Sequence, residues 1–421
     1  MNDSTASANS PALRGRAVIL FINFMFVILA YYQVKVASRS LLLEYGGADA
    51  FPYVWIGSAL LLLAFIGIYT RLIAQYSRVR VIVGSLLSFA LVLVGFHWRL
   101  ANGGIASVVA FYIFVDLFSV VLVEQFWSLA NSVTRTGEGH KSYWFIATGG
   151  LVGGVAGGVV ASSLLEFTTM RTVDLLLSCA VLLIVTAVIN IVMARRTAFR
   201  EITPERPLAL RGAGLRAVLG NRYLALIALV VCFSQLAEPL VEFQFLRAIA
   251  ENYAATDDRS RFIANFFSVM GFVSIAVNLV LTPLVHRYLG VIAGLAVQPL
   301  SLATMTLGFA AQPGLMTAAA MKIADRGLSY SINRASKEIL FIALDPVLTY
   351  QAKAWIDMLG YRTFKILGAG LIVAVTALTP VARVGYDLAW LTLLVCAAWV
   401  AAVIVLGHEQ RRLTFAAESG C

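Results

Sequence analysis

The chain has 421 residues, 60% of them hydrophobic and 13% charged, with a formal net charge of +10 and a mean hydropathy of +0.85. A soluble domain carries roughly 45–50% apolar and about 25% charged residues, so a soluble enzyme, a disordered chain and a disulfide-built secreted module are all excluded. The apolar residues fall in blocks of about 20, the length of helix that crosses a hydrocarbon core; a bilayer β-barrel would instead alternate in polarity, which runs such as Leu60–Ile68 do not.

In chain order, residues 1–16 form a polar N-terminal tail that ends in Arg14 and Arg16. Bulky apolar residues then continue to about Ala37 without a small-residue cleavage site, so the first block reads as an uncleaved span. Twelve spans are expected: 17–38, 51–71, 80–98, 105–130, 143–165 and 172–194, then 222–247, 262–285, 288–311, 314–334, 352–378 and 386–407. The pattern predicts an all-α membrane protein of the major facilitator type. Its parts are an N-terminal six-helix bundle (17–194), a basic cytoplasmic linker (195–221), a C-terminal six-helix bundle (222–407) and a cytoplasmic C-terminal tail (408–421).

Arginine and lysine orient these spans. The linker region holds Arg195, Arg196, Arg200, Arg206, Arg211, Arg216 and Arg222, and further basic residues recur in every second loop. The opposite loops hold only Arg39, Arg99, Arg171, Arg259, Arg261 and Arg383. Positive residues stay on the cytoplasmic side, which places both termini in the cytoplasm. This bias also accounts for the net charge without nucleic acid, because no basic run is interleaved with aromatics. A bacterial inner-membrane location follows, with the lipid bilayer and a small-molecule substrate as partners and a monomer expected.

Charges inside the spans carry the functional information. Each costs at least ~2.5–3.5 kcal/mol near the bilayer centre, so it faces a cavity or a partner. Span seven holds Gln235, Glu238 and Glu242 on one helical face with Pro239 between the acids. Two acids one turn apart repel, which suits proton or ion coupling at Glu238 and Glu242. Span eleven holds Lys353, Asp357, Tyr361 and Lys365 at steps of four, with Arg362 beside them. Asp357 can pair within the helix or take part in coupling. Lys365, with only apolar residues and glycines beyond it, suits an anionic substrate group.

Span ten holds Lys322, Asp325 and Arg326, close enough to pair among themselves with one positive charge over. Span one holds Lys35 followed by Arg39, and span four holds Asp116 and Glu124. Cations suited to a cavity (Lys35, Arg326, Arg362, Lys365) outnumber unpaired acids, which favours an anionic solute. For each of these charges the alternative is an ion pair that locks two helices. Paired glycines in span five (Gly149, Gly150, Gly153, Gly154, Gly157, Gly158) form a face on which another helix can pack closely.

No nucleophile elbow and no GxxxxGK[ST] phosphate loop is present, so neither an enzyme nor an ATP-driven pump is expected. Cys179, Cys232, Cys396 and Cys421 and the four histidines lack metal-ligand spacing. No metal site and no cofactor are expected.

Three segments add a resemblance: KVASRSLLLEYGGADAFPYVW (35–55), FWSLANSVTRTGEGHKSYWFIATGGLVGG (126–154) and YSINRASKEILFIALDPVLTYQAKAWIDMLGYRTFKILGA (330–369). Together they resemble the ATP/ADP translocase (nucleotide transporter) family, in particular its shorter bacterial members. The resemblance implies a major-facilitator-like carrier that exchanges nucleotides. It implies transport roles for Glu242 and Lys365 and, approximately, for Asp116. The lysine that the family places at the start of span two is replaced by Trp55. The resulting expectation is a secondary antiporter of a nucleotide-related or phosphorylated anion, contacted by Lys35, Arg39, Trp55, Asp116, Glu242, Arg326, Arg362 and Lys365. A proton-coupled carrier or exporter of another organic solute is the alternative, and a membrane scaffold is a third.

Overall fold

The computed structural model describes residues 11–75, 78–100, 102–133, 136–195, 218–341, 353, 355–356 and 360–418. They are helical almost throughout: α1 (Pro11–Gly46), α2 (Phe51–Gln75), α3 (Arg78–Leu100), α4 (Ile105–Val133), α5 (Thr136–Phe167), α6 (Leu175–Ala194), α7 (Arg222–Asn252) and α8 (Thr256–Ala276). After a π turn at Val277–Leu281 come α9 (Thr282–Tyr288), α10 (Gly290–Ala311) and α11 (Leu315–Lys322). Two more π turns (Ile323–Gly327 and Ser329–Asn333) lead into α12 (Arg334–Leu340), followed by α13 (Tyr361–Leu378) and α14 (Val384–Glu418). Glycines in the left-handed region form two of the joints: Gly47 (φ 67°) ends α1 and Gly290 (φ 83°) separates α9 from α10.

Among the described residues, ten helical stretches are long and apolar enough to cross a membrane. The tenth expected span is not among the ten. Helix α2, 25 residues from Phe51 to Gln75, runs through the second expected span. The run through α11 and α12 is interrupted by two π turns and carries Lys322, Asp325 and Arg326. This is a multi-span, all-helical membrane protein.

Contacts divide the chain into two compact units. The first comprises residues 1–47, 60–207 and 253–271, and the second comprises residues 48–59, 208–252 and 272–421. Residues 48–59 pack with the second unit and residues 253–271 with the first.

The glycine face of α5 organises the first unit. A Cβ at Gly149 would lie 2.5 Å from the Phe21 carbonyl oxygen, one at Gly153 3.0 Å from Met25 Cα, and one at Gly157 3.1 Å from the Leu29 carbonyl oxygen. The steps of four match on both helices, so the α1 backbone lies directly along one file of glycines. The second file meets other partners: Phe24 covers Gly150, Tyr32 covers Gly154, and Gly158 lies against Ala264 and Ser268 of α8. The Gln33 amide donates to the Gly157 carbonyl at 2.9 Å, and Phe21 stacks on Phe145 at 4.8 Å.

Candidate functional site: a buried charge cluster on α7, α11 and α13

Helix α7 is buried along most of its length, and Gln235, Glu238 and Glu242 are all buried. Pro239 removes one backbone donor from the middle of the helix. At that level α13 approaches closely. A Cβ at Gly368 would lie 2.6 Å from Pro239 Cγ and 2.8 Å from the Leu236 carbonyl oxygen. This glycine contact sets the height of α13 on α7. Lys365, three residues before Gly368, therefore meets Glu238, with Nζ 3.5 Å from Oε1.

The third contributor is the end of α11 and the π turn after it. Neighbouring residues on an α-helix point about 100° apart. The extra residue of the π turn widens this segment, so that Lys322, Asp325 and Arg326 all reach carboxylate or ammonium partners. Lys322 Nζ lies 2.7 Å from Glu242 Oε2 and 3.4 Å from Asp325 Oδ2. Arg326 pairs with Glu238 Oε1 through Nη2, and its Nε lies 3.7 Å from Asp325 Oδ2. From α10, the Gln298 amide donates to the Asp325 carbonyl at 2.8 Å and supports the turn.

Three cations and three carboxylates thus share one place in the second unit, and they fall into two parts. Lys322 is fully enclosed by Glu242 and Asp325, its side chain 3% exposed. Arg326 and Lys365 converge on one oxygen of Glu238, and Lys365 is 29% exposed. The first part holds charge by burying it completely. The second leaves two cations side by side with one nearly accessible, the arrangement in which a phosphate or carboxylate of a ligand is bound by two donors at once.

The other predicted residues lie apart from this cluster or have a different environment. In the first unit, Lys35 is buried in an aromatic cage, its Nζ 4.2 Å from the Phe267 ring centre and 4.6 Å from that of Tyr32. One turn on, Arg39 lies over Phe267 and Tyr112 at 5.8 and 6.0 Å and donates to the Lys35 carbonyl. Asp116 is half-buried on α4, where its carbonyl accepts from Ser119 at 2.8 Å. Trp55 belongs to the second unit and is buried against Phe51, the ring centres 5.7 Å apart. Arg362 is half-buried on α13, one turn before Lys365. Asp357 lies outside the described residues. Lys353 pairs with Glu338 at 2.5 Å.

Sequence reasoning passes over Lys322. A spacing of three makes it read as the internal partner of Asp325, and only the packing of α11 on α7 reveals Glu242 as its nearer partner.

The fold is similar to that of solved bacterial transporters. A bacterial homologue of the iron transporter ferroportin superposes with a TM-score of 0.67 at 13% identity, covering 94% of this chain and 99% of that one. The nucleoside transporter NupG superposes with a TM-score of 0.63 at 14% identity, covering 93% and 99%. The sequence profile of the TLC ATP/ADP transporter family matches residues 85–325 and 311–410. The chain belongs to this family, whose members are carriers rather than enzymes.

ADP,ATP carrier protein 1 of Chlamydia trachomatis is 27% identical over 332 residues, which cover 67% of this chain and 63% of that protein. ADP,ATP carrier protein 3 of Rickettsia bellii is 21% identical over 458 residues, covering 95% of this chain and 89% of that one. The chain therefore spans a little under two thirds of the chlamydial relative's length.

Proposed function

We propose that the protein is an alternating-access secondary transporter of a bacterial inner membrane, monomeric and with both termini cytoplasmic, built on twelve spans in two six-helix bundles. It exchanges a nucleotide-type or related phosphorylated anion. The observation that carries this reading is the convergence of Arg326 and Lys365 on a single carboxylate oxygen of Glu238, on the membrane-spanning helix α7. Buried charges of this kind are costly, and a pair of cations is the chemistry a phosphate needs. The ADP,ATP carriers of Chlamydia and Rickettsia among its relatives support the substrate class.

Lys35, Arg39, Asp116 and Arg362 are assigned to the substrate path on their charge alone, with Lys35 and Arg39 as its cations in the first unit. Glu238, Glu242 and Asp357 are the carboxylates available for coupling. Trp55 stands where the resemblance places a lysine, which supports a substrate with fewer charges than ADP or ATP. A proton-coupled carrier is the second reading, favoured by Glu238 Oε2, a buried carboxylate oxygen that no donor among the described residues reaches.

Exchange in proteoliposomes tests the proposal. Vesicles loaded with AMP, ADP, ATP or inorganic phosphate are offered the same labelled compound outside. At least one nucleotide should exchange, AMP faster than ADP and ATP, and Lys365→Gln or Arg326→Gln should lower its uptake at least tenfold. Failure of every nucleotide, or full activity in both variants, overturns the reading. Uptake against a concentration gradient driven by an imposed pH gradient, with nothing inside to exchange, would instead support the second.

A further inference from the structure

Glu238 differs from the other two acids of the cluster in how it is held. Glu242 and Asp325 share Lys322, which is almost fully enclosed. Glu238 uses one oxygen, Oε1, for both Arg326 and Lys365, while its Oε2 is buried with no hydrogen-bond donor among the described residues. A carboxylate placed for its own stability would engage both oxygens, because a buried acceptor without a donor is costly. This one is positioned by the demand of the two cations.

Charge counting sharpens the point. Lys322, Glu242 and Asp325 together carry one net negative charge. Arg326, Lys365 and Glu238 carry one net positive charge; Arg326 Nε also lies 3.7 Å from Asp325 Oδ2, so the six groups sum to zero and removing Glu238 leaves one positive charge over. A net positive charge inside a membrane protein is a large penalty. An anionic substrate would remove that penalty, and Glu238 removes it in the substrate's absence. Substrate and Glu238 thus compete for the same two donors, because two anions on one cation pair repel.

We infer that Glu238 is an internal stand-in for the substrate anion: it holds Arg326 and Lys365 while the site is empty and yields them when substrate binds. This rests on the proposed anion-carrier reading and adds a transport mode to it. A carrier whose empty site is charge-compensated can change sides unloaded, so it performs net transport as well as exchange. With Glu238 neutralised, the cluster is balanced only when the anion is bound, and the protein becomes a strict exchanger.

The test compares two fluxes in the same vesicles. Proteoliposomes loaded with labelled AMP are diluted into buffer with or without external unlabelled AMP. The wild-type protein should release label into AMP-free buffer at no less than about a tenth of the exchange rate. In Glu238→Gln the ratio of net release to exchange should fall at least a further tenfold, whereas Glu238→Asp, which keeps the carboxylate, should stay within about threefold of wild type. A purely structural role would lower both fluxes and leave their ratio unchanged. The proposal is overturned by strict exchange in the wild type, a result that needs no variant to fold, or by an unchanged ratio in Glu238→Gln. If AMP, ADP, ATP and phosphate all fail to move in the wild type under either condition, the anion-carrier reading itself is overturned, and this inference with it.

Discussion

Helix α5 meets α1 through glycines, whereas α7 meets α11 and α13 through charges, and the two contacts meet the same difficulty in different ways. Lipid is as apolar as a leucine face, so burying hydrocarbon gives helices no reason to associate. In the first unit close approach supplies the attraction: glycines at 149, 153 and 157 let the α1 backbone come within van der Waals contact at Phe21, Met25 and Leu29. In the second unit ion pairs supply it, at the cost of desolvating six charged groups. A glycine face has no functional group to offer a solute. The charge cluster has several, and one of its cations stays partly exposed. The α1–α5 contact is scaffold, whereas the α7–α11–α13 contact carries charged groups that a solute can meet.

The largest effect is expected where charge is most completely buried. Lys322→Met leaves Glu242 and Asp325 without their shared ammonium and should cost about 3–5 kcal/mol, the usual result of removing one partner from a buried pair. A fall in the unfolding midpoint, followed by intrinsic tryptophan fluorescence in detergent, measures it. Lys322→Met combined with Glu242→Gln should recover part of the loss. If the single variant is as stable as wild type, the cluster does not hold the helices together.

Glycine variants should separate scaffold from site. Gly153→Leu would drive a side chain into the Met25 backbone and should cost about 1–3 kcal/mol by overpacking, with nucleotide affinity unchanged in the protein that remains folded. Gly368→Ala meets Pro239 and the Leu236 carbonyl and should cost a similar amount. It should also weaken nucleotide binding, because it lifts Lys365 away from Glu238. Isothermal titration with AMP distinguishes the two, and equal affinities in both variants would contradict the division of labour.

Trp55→Lys should shift preference rather than stability alone. It restores the cation that the family places there, so the exchange rate of ADP relative to AMP should rise several-fold, read in the vesicle assay. Robust ATP/ADP exchange by the wild-type protein would remove any specificity role from Trp55.

The smallest effect is expected from the ion pair between Arg259 and Glu44, 2.8 Å apart in the first unit. The Glu44 side chain is 42% exposed, and exposed pairs contribute about 0.2–1 kcal/mol. Glu44→Gln should therefore change the unfolding midpoint by a degree or two. A larger drop would show that charge as well as glycine stabilises the first unit.

Much of this architecture is legible in the order of residues. Apolar blocks of helical length, interrupted by polar loops, mark most of the spans, because the bilayer filters residues one segment at a time. The stripe at 149–158 announces close packing, since a glycine face is a local property of one helix. The three buried acids and the three cations of the cluster are each visible as charges out of place. Their pairing is not. Steps of three and four relate residues on one helix only, so they match Lys322 with Asp325 and miss its nearer partner Glu242.

Residue type and order therefore suffice for the class of protein, because hydropathy, charge asymmetry and the family segments depend on nothing else. Which charges meet is a matter of packing. Gly368 sets the height of α13 against Pro239, and the π turn at Ile323–Gly327 brings both Asp325 and Arg326 into the cluster. Packing also places residues 48–59 and 253–271 with opposite units. These arrangements rest on distances between segments far apart in the chain, and no periodicity within a segment encodes them.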